Sequence, residues 1–179
     1  TTPQQKIDKT RSFGGDAIQI VLTGDYFDRT LASAQVFCAE TGAHFLSPFD
    51  DPDVIEGQAS VAVEILQQME RAPDMVIVPV GGGGLSAGVT RYLRDAAPAC
   101  EMRYVEPAGG PSLTAALAAG APVTLKKINS FVDGAAVARI GALPFEVLRD
   151  VDPAHVLRAS EDRVCITMLT MLNVEGVVL

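Results

Sequence analysis

Residues 75–88 read Met75-Val76-Ile77-Val78-Pro79-Val80, then Gly81-Gly82-Gly83-Gly84-Leu85-Ser86-Ala87-Gly88. An unbroken apolar run is how a strand of a covered parallel sheet reads. The pattern from Ser86 to Ala97 is helical. The unit is therefore strand, glycine loop, helix. Each glycine costs backbone entropy on folding, so four in a row need a reason. Glycines permit unusual dihedrals and let backbone N–H groups approach a ligand closely. The helix that follows offers unpaired N–H groups and the positive end of its dipole. Together these make a phosphate site in which the backbone does the binding and no lysine is required. A side chain at Gly82 or Gly83 is expected to intrude on the space the phosphate needs.

The rest of the chain alternates in the same way. Pro3 to Phe13 reads as a polar helix stopped by Gly14-Gly15, and Ala17 to Leu22 as a short strand. Phe27, Leu31, Ala34 and Cys38 recur at helical spacing before a stop at Gly42. His44 to Leu46 reads as a short strand, Ser47 to Asp53 as a loop, and Val54 to Met69 as one helix. Strands are predicted at Met102 to Val105 and Val156 to Ala159, and short helices at Leu113 to Ala119 and Leu143 to Arg149. Ser160 is a good N-cap for a helix carrying Val164, Met168, Leu169 and Leu172. The alternation predicts an α/β fold, a three-layer, open, mostly parallel sheet. Thr1-Thr2 enters an element with no strand before it, and Val177 to Leu179 opens an apolar run it does not complete. Truncation at both ends is expected, with apolar surface showing on the first and last elements.

Composition narrows the function. Hydrophobic residues make up 48% of the 179, enough for a real core. The 14 basic residues are dispersed among 22 acidic ones, for a net charge of −8. That argues against a nucleic-acid partner, which needs clustered basic charge. No apolar run approaches the ~18 residues of a membrane span, so no membrane partner is expected, and the chain reads as cytoplasmic. Cys38, Cys100 and Cys165, with His44 and His155, have no zinc-like spacing; the cysteines read as reduced, partly buried thiols and the histidines as structural or exposed. The acidic group Asp50, Asp51 and Asp53 reads as a solvated loop rather than a metal site.

Three ligands compete for the loop. A nucleotide P-loop needs Lys and Ser or Thr after its last glycine, and Gly84 is followed by Leu85. A dinucleotide fingerprint fits Gly82, Gly84 and Ala87, with Glu106 at the end of the next strand as the ribose ligand, roughly 20 residues on. The third ligand is the phosphate of pyridoxal 5'-phosphate. Set against all three is a loop that merely packs a helix closely on a sheet.

At these residues the chain resembles the fold-type II pyridoxal-phosphate enzymes, the group of tryptophan synthase β, serine racemase and the threonine and serine dehydratases. Gly81, Gly82, Gly83, Gly84 and Leu85 resemble the family's cofactor-phosphate loop. Other pieces match in order: Lys6-Ile7 through Gly14, Tyr26 and its helix, Pro48-Phe49-Asp50-Asp51-Pro52-Asp53-Val54-Ile55-Glu56-Gly57-Gln58, Val105-Glu106-Pro107, and Val132-Asp133-Gly134-Ala135-Ala136-Val137. The likeness covers nearly all of the chain, is nearest to the biosynthetic threonine dehydratases, and leaves the dinucleotide reading as the runner-up.

The resemblance implies a parent enzyme, homo-oligomeric, that converts L-threonine to 2-oxobutanoate and ammonia in isoleucine biosynthesis. It implies that residues 1–179 are the central part of its catalytic region. The family's Schiff-base lysine follows Ser-Phe, and Lys6, Lys9, Lys126 and Lys127 do not. Asn129 and Asn173 lack the family's asparagine motif. No catalytic residue is therefore expected here, the chain alone is expected to be inactive, and a non-catalytic fragment is a further alternative. Glu106, Gly110 and Ser112 fall where some relatives bind a cation. Serine is a poor substitute for an acidic ligand, so Glu106 is expected to be a surface carboxylate. Asp133-Gly134 reads as a turn, and Gly57-Gln58 as a close-packed helix start.

Overall fold

The computed structural model describes residues 2–24 and 27–178. Thr1, Tyr26 and Leu179, all used in the sequence reading, lie outside them. The chain divides into two units, Thr1–Leu46 and Ser47–Leu179.

The smaller unit is helical. Helix α1 spans Gln4–Gly14 and ends where Gly15 turns to φ +50 and donates its N–H to Arg11 O. A short 3-10 turn, Gly15–Ala17, follows. Helix α2 spans Phe27–Thr41 and stops at Gly42, whose φ of +73 suits glycine. The strands predicted at Ala17 to Leu22 and His44 to Leu46 do not form. Ile18 is extended, but among the described residues no neighbouring strand pairs with either segment. A β-prone stretch without a ladder partner stays irregular.

The larger unit carries the sheet. Strands β1 (Met75–Pro79), β2 (Glu101–Pro107) and β3 (Val156–Ala159) lie side by side in chain order, all parallel. Met75 pairs with Glu101, and Tyr104 with Val156. Val80 donates to Val105 O at 2.8 Å, extending the ladder past Pro79. The Pro79 nitrogen therefore faces the open edge of β1, where no donor is needed.

Helices α3 (Pro52–Gln58), α4 (Ser60–Gln68), α5 (Gly84–Ala96), α6 (Ser112–Ala119) and α7 (Ala142–Leu148) belong to this unit, with α8 (Glu161–Thr170) after β3. Val78, Val80 and Tyr104 on one face of the sheet pack with Leu113, Ala116, Ile140, Phe145 and Leu148. Val76 and Met102 continue that face onto Ala62, Val89 and Leu93. Met75, Ile77 and Leu157 on the opposite face are exposed, as are Phe13 of α1 and Ile166 and Leu169 of α8. The α/β class and parallel sheet are as predicted, and β3 and the Ser160 cap fall where expected, with Ser160 Oγ accepting from Arg163 N–H.

The helix predicted as one piece over Val54 to Met69 is two, separated by Ala59. Ala59 donates to both Ile55 O and Glu56 O, so the turn tightens there. Helix α5 crosses at this point. A Cβ on Gly88 would stand 2.3 Å from Ile55 O and 2.8 Å from Ala59 N. Gly57, expected to be close-packed, has nothing within 4 Å of where its Cβ would be. The two helical glycines should therefore respond oppositely in urea unfolding of the chain. Gly88→Ala should destabilise by about 1–3 kcal/mol through overpacking. Gly57→Ala should stabilise by up to about 1 kcal/mol through lost unfolded-state entropy.

Candidate functional site

The glycine loop joins β1 to α5, and each of its glycines meets a different wall. A Cβ on Gly81 would stand 3.0 Å from the Ala135 backbone. On Gly82 it would lie 2.2 Å from the Phe49 ring, and on Gly84 2.9 Å from Phe49 Cα. Gly83 has φ +95, and a Cβ there would stand 2.7 Å from Pro144 Cβ and 3.0 Å from Ile140 Cγ1. Gly82, Gly83 and Gly84 are buried. The expectation for Gly82 and Gly83 is thereby corrected. Their missing side chains leave room for Phe49 and for the Ile140–Pro144 segment. The structure thus brings together three separate stretches: Pro48-Phe49, the glycine loop, and the Val132–Val137 loop through Ala135.

The loop's carbonyls are engaged from inside the chain. Ser112 Oγ donates to Gly81 O at 3.1 Å. Gly141 N–H donates to Gly82 O at 3.0 Å, and Ala87 N–H to Gly83 O at 2.8 Å. The buried Ser86 hydroxyl also donates to Gly83 O. The amides of Gly82, Gly83, Gly84 and Leu85, among the described residues, donate to no acceptor within the chain. Helix α5 has Gly83 as N-cap, no side-chain cap and no acid in its first turn.

The starts of α3 and α7 are treated differently. Asp51 Oδ1 accepts from Asp53 and Val54 N–H at the start of α3. Asp50 reaches across the chain and accepts from Ala142 and Leu143 N–H at 3.0 and 2.8 Å, at the start of α7. The acidic group is thus a pair of helix caps with Asp53 in the first turn of α3, and among the described residues no cluster is arranged to hold a metal.

Glu106 is corrected outright. It has no exposed surface. Its Oε2 accepts from Leu113 N–H at 2.9 Å, and its Oε1 from Thr114 N–H at 3.1 Å and from the Thr114 hydroxyl. It is the cap of α6. With both oxygens so engaged, it is not available to a ribose, and the dinucleotide reading through Gly82, Gly84, Ala87 and Glu106 loses its acidic ligand. The cation reading fails on the same bonds, since Ser112 is turned to Gly81 O. Asp133 sits in an exposed turn, as predicted, and His44 is exposed. Sequence reading missed Ser112 as a partner of the loop and Asp50 as the cap of α7. The one local signal, a second aspartate before the Asp51-Pro52 helix start, does not say which amides it meets.

The pyridoxal-phosphate dependent enzyme family matches residues 1–179. The chain belongs to that family. It is 43% identical to the biosynthetic L-threonine dehydratase of Mycobacterium leprae over 99% of its own length and 42% of that protein's. It is 44% identical to the Bacillus subtilis protein of the same name, over 97% of the chain and 41% of that protein. Among solved structures it superposes on processed threonine deaminase isoform 2 of Solanum lycopersicum with a TM-score of 0.87 at 36% identity, covering all of this chain and 51% of that one. On maize serine racemase the TM-score is 0.86 at 28% identity, covering 99% and 52%. The chain therefore spans about half the length, or less, of these pyridoxal-phosphate dependent relatives. No helix among its described residues is long and apolar enough to cross a membrane.

Two outcomes follow from the site's geometry. Gly83→Val should lower the urea midpoint sharply, because it adds a clash with Pro144 to a positive φ that valine rarely adopts. A midpoint within error of the parent would mean the loop is not seated against Pro144. Burial pushes the Glu106 carboxyl up, against the opposing pull of Thr114, Leu113 and Arg158. A raised carboxyl contributes stability that is fully present below the ordinary glutamate value, about 4.3, and is lost as pH rises through the raised one. The stability of the parent relative to Glu106→Gln, measured by urea unfolding across this range, should therefore fall as pH rises. A difference flat with pH would show that the carboxyl is not raised.

Proposed function

We propose that residues 1–179 are the central part of the catalytic region of a pyridoxal-phosphate dependent ammonia-lyase acting on L-threonine, and that Gly81 to Leu85 hold the cofactor's phosphate. One observation carries the phosphate assignment. Among the described residues, the start of α5 keeps its amides free of any acceptor, while the loop carbonyls behind them are tied down and the starts of α3, α6 and α7 are closed by carboxylates. Free N–H groups and the positive end of a 13-residue helix favour an anion there. The residues fit a phosphate: no acid stands in the first turn of α5 to repel it.

L-threonine as substrate, with 2-oxobutanoate and ammonia as products in isoleucine biosynthesis, is supported by relatives at 43–44% identity named for that reaction. When bound, pyridoxal phosphate supplies an electron sink for the carbanion formed at the substrate's α-carbon. The part played by these residues is to hold and orient. The loop amides fix the phosphate, and Phe49 and Ala135 wall the loop so that its amides keep their direction. Lys6, Lys9, Lys126 and Lys127 are assigned no role in holding the cofactor. A cytoplasmic, homo-oligomeric parent enzyme belongs to the same reading.

The reading is tested by following the backbone amides of the 15N-labelled chain. Pyridoxal 5'-phosphate and inorganic phosphate should each shift the Gly82, Gly83, Gly84 and Leu85 resonances, and pyridoxal should not. Shifts confined to other residues, with these four unmoved, would defeat the assignment. The chain alone should release no 2-oxobutanoate from L-threonine; release would mean one of its own four lysines carries the cofactor.

A further inference from the structure

A trans peptide points its C=O and the next residue's N–H in opposite directions. No peptide bond among the described residues is cis. Whatever holds a loop carbonyl therefore also aims the amide after it. Three groups do so here. Ser112 Oγ holds Gly81 O, which turns Gly82 N–H away from α6. Gly141 N–H holds Gly82 O, which turns Gly83 N–H away from the start of α7. Ala87 N–H and Ser86 Oγ hold Gly83 O, which turns Gly84 N–H outward from the end of α5.

The last of these is the ordinary first turn of a helix, but the first two are not. Gly81 and Gly82 precede the helix, and glycine peptides swing freely unless something stops them. Ser112 is the only side chain that bonds either of those two carbonyls among the described residues, and it is fully buried. It is itself held at the N-terminus of α6, whose next two amides are fixed by Glu106. The Gly141 amide is set in the same manner. Asp50 caps the two amides that follow it, and its Cγ stands 2.9 Å from where a Gly141 Cβ would be.

We infer that Ser112 is a positioning residue for the phosphate loop: its hydroxyl, through Gly81 O, aims Gly82 N–H at the bound anion. This rests on the phosphate assignment above. The hydroxyl does not touch the ligand. It makes the site ready before the ligand arrives, which removes a reorganisation cost from binding.

The test compares the 179-residue chain with Ser112→Ala, Ser112→Cys and Ser112→Thr. Inorganic phosphate and pyridoxal 5'-phosphate are titrated while amide shifts and urea stability are recorded. The parent comes first. If neither ligand moves its loop amides, the phosphate assignment itself has failed. If both do, the variants decide the role of Ser112. Ser112→Ala should bind both ligands roughly ten- to a hundredfold more weakly, the worth of one charge-assisted hydrogen bond. Its Gly82 amide should show the largest change in the absence of ligand. Ser112→Cys keeps the shape with a poor donor and should behave as Ser112→Ala, which keeps the test decisive if alanine unfolds the chain. Ser112→Thr, which retains the hydroxyl, should restore affinity. Parent-like affinity in folded Ser112→Ala or Ser112→Cys would overturn the inference, as would stability losses in all three variants with phosphate affinity untouched.

Discussion

The larger unit is organised around a stretch of backbone that other segments approach more closely than any side chain would allow. Between Gly81 and Gly88, the missing Cβ atoms admit Ala135, Phe49, Pro144, Ile140 and the carbonyl of Ile55. The start of α5 is thereby enclosed on several sides at once. Close packing and ligand binding are often set against each other as explanations of a glycine run. Here the two are compatible: the missing Cβ atoms admit neighbouring segments, while the amides of Gly82 to Leu85, among the described residues, meet no acceptor in the chain.

The carboxylates show a division of labour. Asp50, Asp51 and Glu106 each close the amides of a helix start, Asp51 and Glu106 from nearby in the chain and Asp50 from more than 90 residues away. An acid at a helix N-terminus is stabilising, and a chain with 22 of them has many to spare. Helix α5, behind four glycines, receives none. Neither does α4, but α4 runs on from α3 through Ala59 whereas α5 starts from the glycine loop. For Glu106 the cost of burial is offset by three donors, and the net lift of its carboxyl shows that the offset is incomplete.

Much of this was readable beforehand, and the limits are instructive. The strand, loop and helix over 75–97 are local patterns, and so are β3 and the Ser160 cap, whose serine meets an amide three residues on. What could not be read depends on partners far away in sequence. Ala17 to Leu22 has strand composition but no ladder to join. Glu106 resembles a surface acid until α6 folds back over it. Gly82 and Gly83 pointed to a ligand, yet their Cα atoms look toward Phe49 and Pro144. Family likeness supplied the names of the pieces and their order, but not that Ser112 and Gly141 would hold the loop's carbonyls.

The bond from Asp50 to Leu143 spans 93 residues, and the one from Gly141 to Gly82 crosses most of the same distance. Contacts so distant in sequence form late and slow folding. During synthesis, Gly84 emerges about 60 residues before Pro144, a delay of roughly 3–12 s at about 5–20 residues per second. Over that interval β1, α5 and the Phe49 wall can exist, but the loop lacks Ala135, the Ile140–Pro144 segment and the Gly141 anchor on Gly82 O. Until the second half of the chain arrives, the nascent polypeptide holds a flexible tetraglycine hinge where the finished one has a fixed turn.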